Sequence, residues 1–156
     1  ESSLNLEIDD RRLLSWAAQV HELGLAIAHS QYHQHGAYLL EHSDIAGFSR
    51  TEQQTLAALV RNQRRGVHLP SFEKLPDRLP PNALRCALIL RLAVLLHRSH
   101  DRDPLPALKL TLDGPASATL SLPKAWLEAH PLTRADLDSE RDYLQDIGRS
   151  LVIRAA

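Results

Sequence analysis

Apolar residues recur at helical spacing along the first two thirds of the chain and change to strict alternation after residue 104. Leu13, Leu14, Ala17, Val20 and Leu23 share one face of a helix predicted from Asp9 to Leu23, with Gly24 as its stop. A second helix is predicted from near Ser30 through Tyr38-Leu39-Leu40 to His42, ended by Ser43-Asp44. Ser49-Arg50-Thr51-Glu52 has the form of a capping box, in which hydroxyl and carboxylate each accept from the other residue's backbone amide. It launches a helix to about Arg64 whose inward face is Leu56, Leu59 and Val60. Residues 66–82 contain Pro70, Pro76, Pro80 and Pro81, which a helix interior does not tolerate, so they read as a connection. Pro81 suits the first turn of a strongly apolar helix from about Asn82 to His100.

Beyond Pro104 and Pro106, Leu108, Leu110 and Leu112 alternate with polar residues, and Leu120 and Leu122 do so again after Gly114-Pro115. That pattern is a hairpin. Pro123 to Ala129 reads as a short helix and Arg134 to Gly148 as a longer one, with Leu137, Leu144 and Ile147 inward. Leu151-Val152-Ile153 reads as a last strand, and Trp16, Trp126 and Cys86 as core. The expected fold is therefore mainly α: a helical domain over residues 1–104 followed by a small α+β domain over 105–156.

Composition narrows the class. At 156 residues the chain is long enough for a buried core, and 44% hydrophobic with 24% charged residues is the balance of a soluble domain. Cys86 is the single cysteine, which excludes a disulfide framework and points to a reducing, cytoplasmic setting. No apolar run reaches the ~20 residues that span a bilayer, so no integral membrane segment is expected. The chain opens on Glu-Ser-Ser without a methionine and reads as part of a longer protein. Its net charge of −1 hides a pattern: residues 1–60 sum to −5, residues 61–102 to +6, and residues 103–156 to −2. The basic centre is either a solvated face or an anion-binding strip. With 4% aromatic residues there is little platform on which to stack bases, and no nucleic-acid partner is expected.

The chemistry-bearing residues fall in two groups. His21-Glu22 sits at a helix end, where an imidazole and a carboxylate can face a cleft as metal donors, or where the histidine simply caps the helix. His29 and His33 share a helical face only if the helix already begins at His29, and His33 and His35 cannot share one. The three are read as polar lining of a cleft rather than metal ligands, where they contact phosphate oxygens or simply titrate. Arg61, Arg64 and Arg65 close one helix, and Arg85, Arg91, Arg98 and Arg102 follow along the next. Arg91 interrupts an apolar face, so its guanidinium is either paired or held for an anion. Arginine suits phosphate because its fork donates two parallel hydrogen bonds.

The runs Ser15-Trp-Ala-Ala-Gln-Val-His-Glu-Leu-Gly-Leu-Ala-Ile-Ala-His-Ser30 and Gln34-His-Gly-Ala-Tyr-Leu-Leu-Glu-His-Ser-Asp-Ile-Ala-Gly-Phe-Ser49 resemble the C-terminal half of bacterial exopolyphosphatases. Leu59-Val-Arg-Asn-Gln-Arg-Arg65 is similar to that family's next basic helix end, and the late hairpin, helix and strand to its small terminal domain. The family includes guanosine pentaphosphate phosphohydrolases. The resemblance implies a degenerate domain similar to the histidine-aspartate (HD) phosphohydrolases, then the small α+β domain. It also implies a parent in which N-terminal actin-like domains cleave the terminal phosphoanhydride with Mg²⁺, in the cytoplasm or peripheral to the inner membrane. This half is then expected to bind inorganic polyphosphate, give processivity and form a homodimer contact.

His21 matches the superfamily's motif histidine, but Glu22 stands where it has aspartate, and Val94 in Leu92-Ala93-Val94-Leu95-Leu96-His97 replaces a second aspartate. Catalysis by this stretch alone, and a bound metal, are therefore not expected. The residues expected to hold polyphosphate are Arg61, Arg64, Arg65, Arg91 and Arg98, with His29, His33 and His35 in support. The alternative is a metal-dependent nucleotide phosphohydrolase using His21 and Glu22, or a guanosine pentaphosphate phosphohydrolase as parent.

Overall fold

A computed structural model describes residues 6–76, 80–98, 104–114 and 117–156. It is mainly helical, and the chain divides into two compact units. One comprises Leu6–Arg64 and His68–Leu92; the described part of the other comprises Arg65–Val67 and Ala93 onward.

The first unit is built around α3 (Arg50–Arg61), which is buried continuously from Thr55 to Val60 and packs on α1 (Ile8–Val20) and α2 (Tyr32–His42). Its capping box forms as the sequence dictates: the Glu52 amide donates to Ser49 Oγ at 3.1 Å and the Ser49 amide to Glu52 Oε1 at 3.0 Å. Arg12 of α1 pairs with the Glu52 carboxylate and lies over the Phe48 ring at 5.5 Å. Trp16 meets Phe48 edge-on at 5.6 Å yet remains 41% exposed, so it is not the core residue its helical position implied.

Gly24 is not a helix stop. α1 ends at Val20, and Gly24 lies inside a short 3-10 turn, Leu23–Ala26, that packs against α2. A Cβ on Gly24 would sit 1.7 Å from the Tyr32 carbonyl oxygen, so the two backbones touch where only glycine fits. Gln31, at φ 54, then turns the chain into α2 and prevents the helix from reaching back to His29. The proline-rich connection hides α4 (Pro70–Glu73), since Pro70 occupies the first turn, where no amide is needed. Next comes α5 (Pro80–His97), which begins before Asn82; its expected extension to His100 lies outside the described residues.

The second unit carries a three-stranded sheet ordered β1 (Lys109–Leu112), β2 (Ser117–Leu122), β3 (Ser150–Ala155). β1 and β2 pair antiparallel, with Leu110 opposite Leu120. β3 pairs parallel to β2, with Leu120 opposite Ile153, and a parallel neighbour requires a crossover. α6 (Lys124–Ala129) and α7 (Pro131–Gln145) supply it. Leu137 and Leu144 are buried as their spacing predicts, and Gly148, at φ 73, ends the segment so that the Arg149 amide reaches back to the Leu144 carbonyl.

Candidate functional site: a cationic cleft beside α3

The end of α3 is held by buried amides. Asn62 Nδ2 donates to the Ala58 carbonyl and to Ser71 Oγ, each at 2.8 Å, while Asn62 Oδ1 accepts from the His68 amide at 2.7 Å. Arg91 lies beneath, 2% exposed, and Nη1 donates to the Asn62 carbonyl at 2.7 Å. The last carbonyls of a helix lack intrahelical partners and carry the negative end of its dipole, so a cation is well placed there. Arg91, expected to hold polyphosphate, is thus buried at a helix end and does not line the cleft described next.

These bonds fix a cleft of about 230 Å³ between α2, α3 and the α4 segment. Ala37, Ala57 and Ala58 line it and leave the space, because their side chains stop at Cβ. The rest of the lining is polar: Gln34, Tyr38, Glu41, Gln54, Arg61, Ser71 and Lys74. Lys74 Nζ lies 3.5 Å from Glu41 Oε1, which partly neutralises it. Arg61, the half-buried last residue of α3, makes no ion pair among the described residues. His68 Nδ1 is 3.3 Å from Ser71 Oγ, the hydroxyl that lines the cleft. Its pKa is lowered from 6.5 by partial burial and then by the charges of Arg61 and Lys74, with Glu73 opposing. The imidazole therefore sits in the positive field of the cleft.

Of the residues picked from sequence, only Arg61 lines this cleft. Arg64 lies over the Tyr32 ring at 4.7 Å, and His29 and the buried His33 flank the same ring at 6.2 and 6.4 Å. They form a separate polar-aromatic cluster. His35 is half-buried on α2, and Arg65 is exposed with φ 63. Arg98 lies 3.7 Å from Asp136. Lys74, Tyr38, Gln54 and His68 were missed by sequence reading. The signal that could have found Lys74 is Pro70, whose first-turn preference permits a short helix ending beside it.

His21 Nδ1 lies 2.6 Å from the Ala18 carbonyl and caps α1, while Nε2 is 3.8 Å from an exposed Glu22. Among the described residues no three His, Cys, Asp or Glu side chains come together as a metal site. Two donors, one ring nitrogen already engaged, do not fit a divalent cation, and Mg²⁺ prefers six oxygens.

The family model for Ppx/GppA phosphatase, domain III, matches residues 2–141, a span that contains the whole cleft. The chain belongs to this family. It is 38% identical over 142 residues to guanosine-5'-triphosphate,3'-diphosphate pyrophosphatase of Vibrio campbellii, and 36% identical over 138 residues to the protein of that name from Aeromonas hydrophila. These alignments cover 90% and 88% of this chain but 28% of each relative. The chain thus spans little more than a quarter of the length of the curated relatives it matches. Ppx/GppA domain III here is a mainly α domain with a small α+β part after it. No described helix is long and apolar enough to cross a membrane.

Proposed function

We propose that this domain holds a run of phosphoryl groups in the cleft beside α3 while the remainder of a Ppx/GppA phosphatase cleaves them. The observation that carries the reading is Arg61, a guanidinium at a cleft mouth with no carboxylate partner among the described residues. Its planar fork matches two phosphate oxygens, Lys74 adds a point charge, and the Gln34, Gln54 and Tyr38 side chains supply neutral donors. Binding of a polyanion to such a set releases counterions and weakens steeply with salt. In this reading the domain binds and orients. Polyphosphate is the ligand this reading favours, with Mg²⁺-dependent cleavage assigned to N-terminal domains of the parent and a homodimer as the assembled form.

A second reading is favoured by the relatives, which are named for guanosine-5'-triphosphate,3'-diphosphate. That nucleotide also presents consecutive phosphoryl groups and would use the same cations. Calorimetric titration of the chain with long polyphosphate and with the nucleotide, at two salt concentrations, separates the two. Tighter, salt-sensitive polyphosphate binding supports the first, and tighter nucleotide binding the second. Arg61→Ala is expected to lower affinity about tenfold, in line with one lost charge-assisted contact. Unchanged affinity in that variant removes the cleft from the account.

A further inference from the structure

The small sheet places both of its strand cations on one face. Ala118, Leu120 and Leu122 of β2 are buried, and Leu127 of α6 and Leu137 of α7 line a pocket together with Ile153 and Ala155. The helices therefore cover that face, and alternation puts Ser117, Thr119 and Ser121 on the other. Register then sets Lys109 opposite Ser121 and Ser121 opposite Arg154, so lysine, serine and arginine form one cross-strand row on the uncovered face. Neighbouring strands lie about 4.8 Å apart, which leaves the two cations about 10 Å apart at the backbone with a hydroxyl between them.

We propose that this row is a second oxyanion site, where Lys109 and Arg154 grip a phosphate chain across the Ser121 hydroxyl. Both cations are exposed, and neither makes an ion pair among the described residues. The strand sequences KLTL, SATLSL and SLVIRA contain no aspartate or glutamate. α7, which covers the opposite face, carries Asp136, Asp138, Glu140 and Asp142 together with Arg134 and Arg141, and Asp113 reaches the uncovered face through Thr119. Two hydroxyls of the sheet already donate to side chains: Ser150 Oγ to Ser117 Oγ at 3.0 Å, and Thr119 Oγ1 to Asp113 Oδ2 at 2.9 Å. Ser121 has no such side-chain partner among the described residues, so its hydroxyl is available to donate. β1 and β3 are edge strands, where a charge also discourages pairing with other chains. That role requires no hydroxyl between the cations.

The ligand class rests on the phosphate-chain reading of the cleft, but the two sites are separable by experiment. Residue-resolved amide NMR of the chain, titrated with tripolyphosphate, should show saturable shifts at Lys109, Ser121 and Arg154. The double variant Lys109→Ala/Arg154→Ala should abolish them, leave shifts at Arg61 and His68, and keep the wild-type circular dichroism. For long polyphosphate, loss of two phosphate contacts should make the log affinity against log salt slope shallower by about 1.4–1.8. Shifts at Arg61 and His68 with none along the row overturn the sheet site and leave the cleft standing. Shifts along the row with none at Arg61 or His68 do the reverse. Equal shifts with sulfate at matched ionic strength also overturn the proposal, because they show a generic response to anions.

Discussion

Arg61 and Arg91 come from one basic run of the sequence and end in opposite circumstances. Arg91 is almost fully buried, and its guanidinium closes the carbonyl end of α3 through Asn62. Arg61 stands one residue before that carbonyl, at the mouth of a cleft, without a carboxylate among the described residues. A cation buried against an orphan helix carbonyl is committed to the fold, since withdrawing it leaves a polar group unsatisfied. A cation on a cleft wall is committed to nothing until an anion arrives. Positive charge along a sequence therefore does not measure capacity to bind a polyanion; what matters is how much of it the fold leaves unspent.

The largest expected effect tests Arg91. Arg91→Ala should lower unfolding free energy by about 3–5 kcal/mol through a cavity and an unsatisfied carbonyl, read by denaturant titration. Arg91→Met fills the volume and should cost about 1–3 kcal/mol while polyphosphate affinity holds. A stable Arg91→Met with weakened binding would erase the contrast with Arg61. Gly24 belongs on the Arg91 side, although it lies in the motif that looks functional. Gly24→Ala places a methyl against the Tyr32 carbonyl and should cost about 1–3 kcal/mol or more in the same titration, whereas an ordinary helix stop would lose only a local contact.

On the other side, Arg61→Ala should leave the melting temperature within a degree or two and still lose about tenfold in affinity for the phosphate chain. Ser49→Ala offers a control at the far end of the same helix: about 1 kcal/mol of stability lost with the capping box, and no change in binding.

The smallest and sharpest test is His68. Its folded pKa lies below the ordinary imidazole value of 6.5, so the unfolded chain binds more protons in that interval. The neutral ring's contribution to stability is present above pH ~6.5 and is lost as pH falls through the folded pKa. Because Arg61 and Lys74 cause part of the depression, Arg61→Ala should move the His68 titration, followed by NMR, back toward 6.5. A bound phosphate chain should move it the same way. An unmoved titration in both cases would place Arg61 outside the field that His68 reports.

Much of the architecture was legible along the chain. The Ser49–Glu52 box, the Leu56–Leu59–Val60 face and the alternation of Leu110 against Leu120 are local chemistry, and local chemistry is written in adjacent residues. Family membership was legible for the same reason, in the 15–65 block. The candidate site was largely not. Gln53, Asn62 and Gln63 look like surface residues in sequence, but all are buried. Gln53 Nε2 donates to the α2-end carbonyls of Leu40 and Ser43, and Gln63 Nε2 to the His21 carbonyl at 2.5 Å. Orphan carbonyls at helix ends must find partners, and the partner is whichever amide the packing brings near.

The sequence by itself determined the helices, the capping box of α3, the hairpin and the position of the basic segment, because each depends on residue type at short spacing. Only the tertiary structure decided that Arg91 is buried against Asn62 while Arg61 lines a cleft, that Gly24 is a point of backbone contact, and that Lys74 lines the same cleft as α3. It alone aligned Lys109, Ser121 and Arg154 in one row. Those outcomes depend on which groups distant in sequence are packed together, and on whether burial has already satisfied their charge.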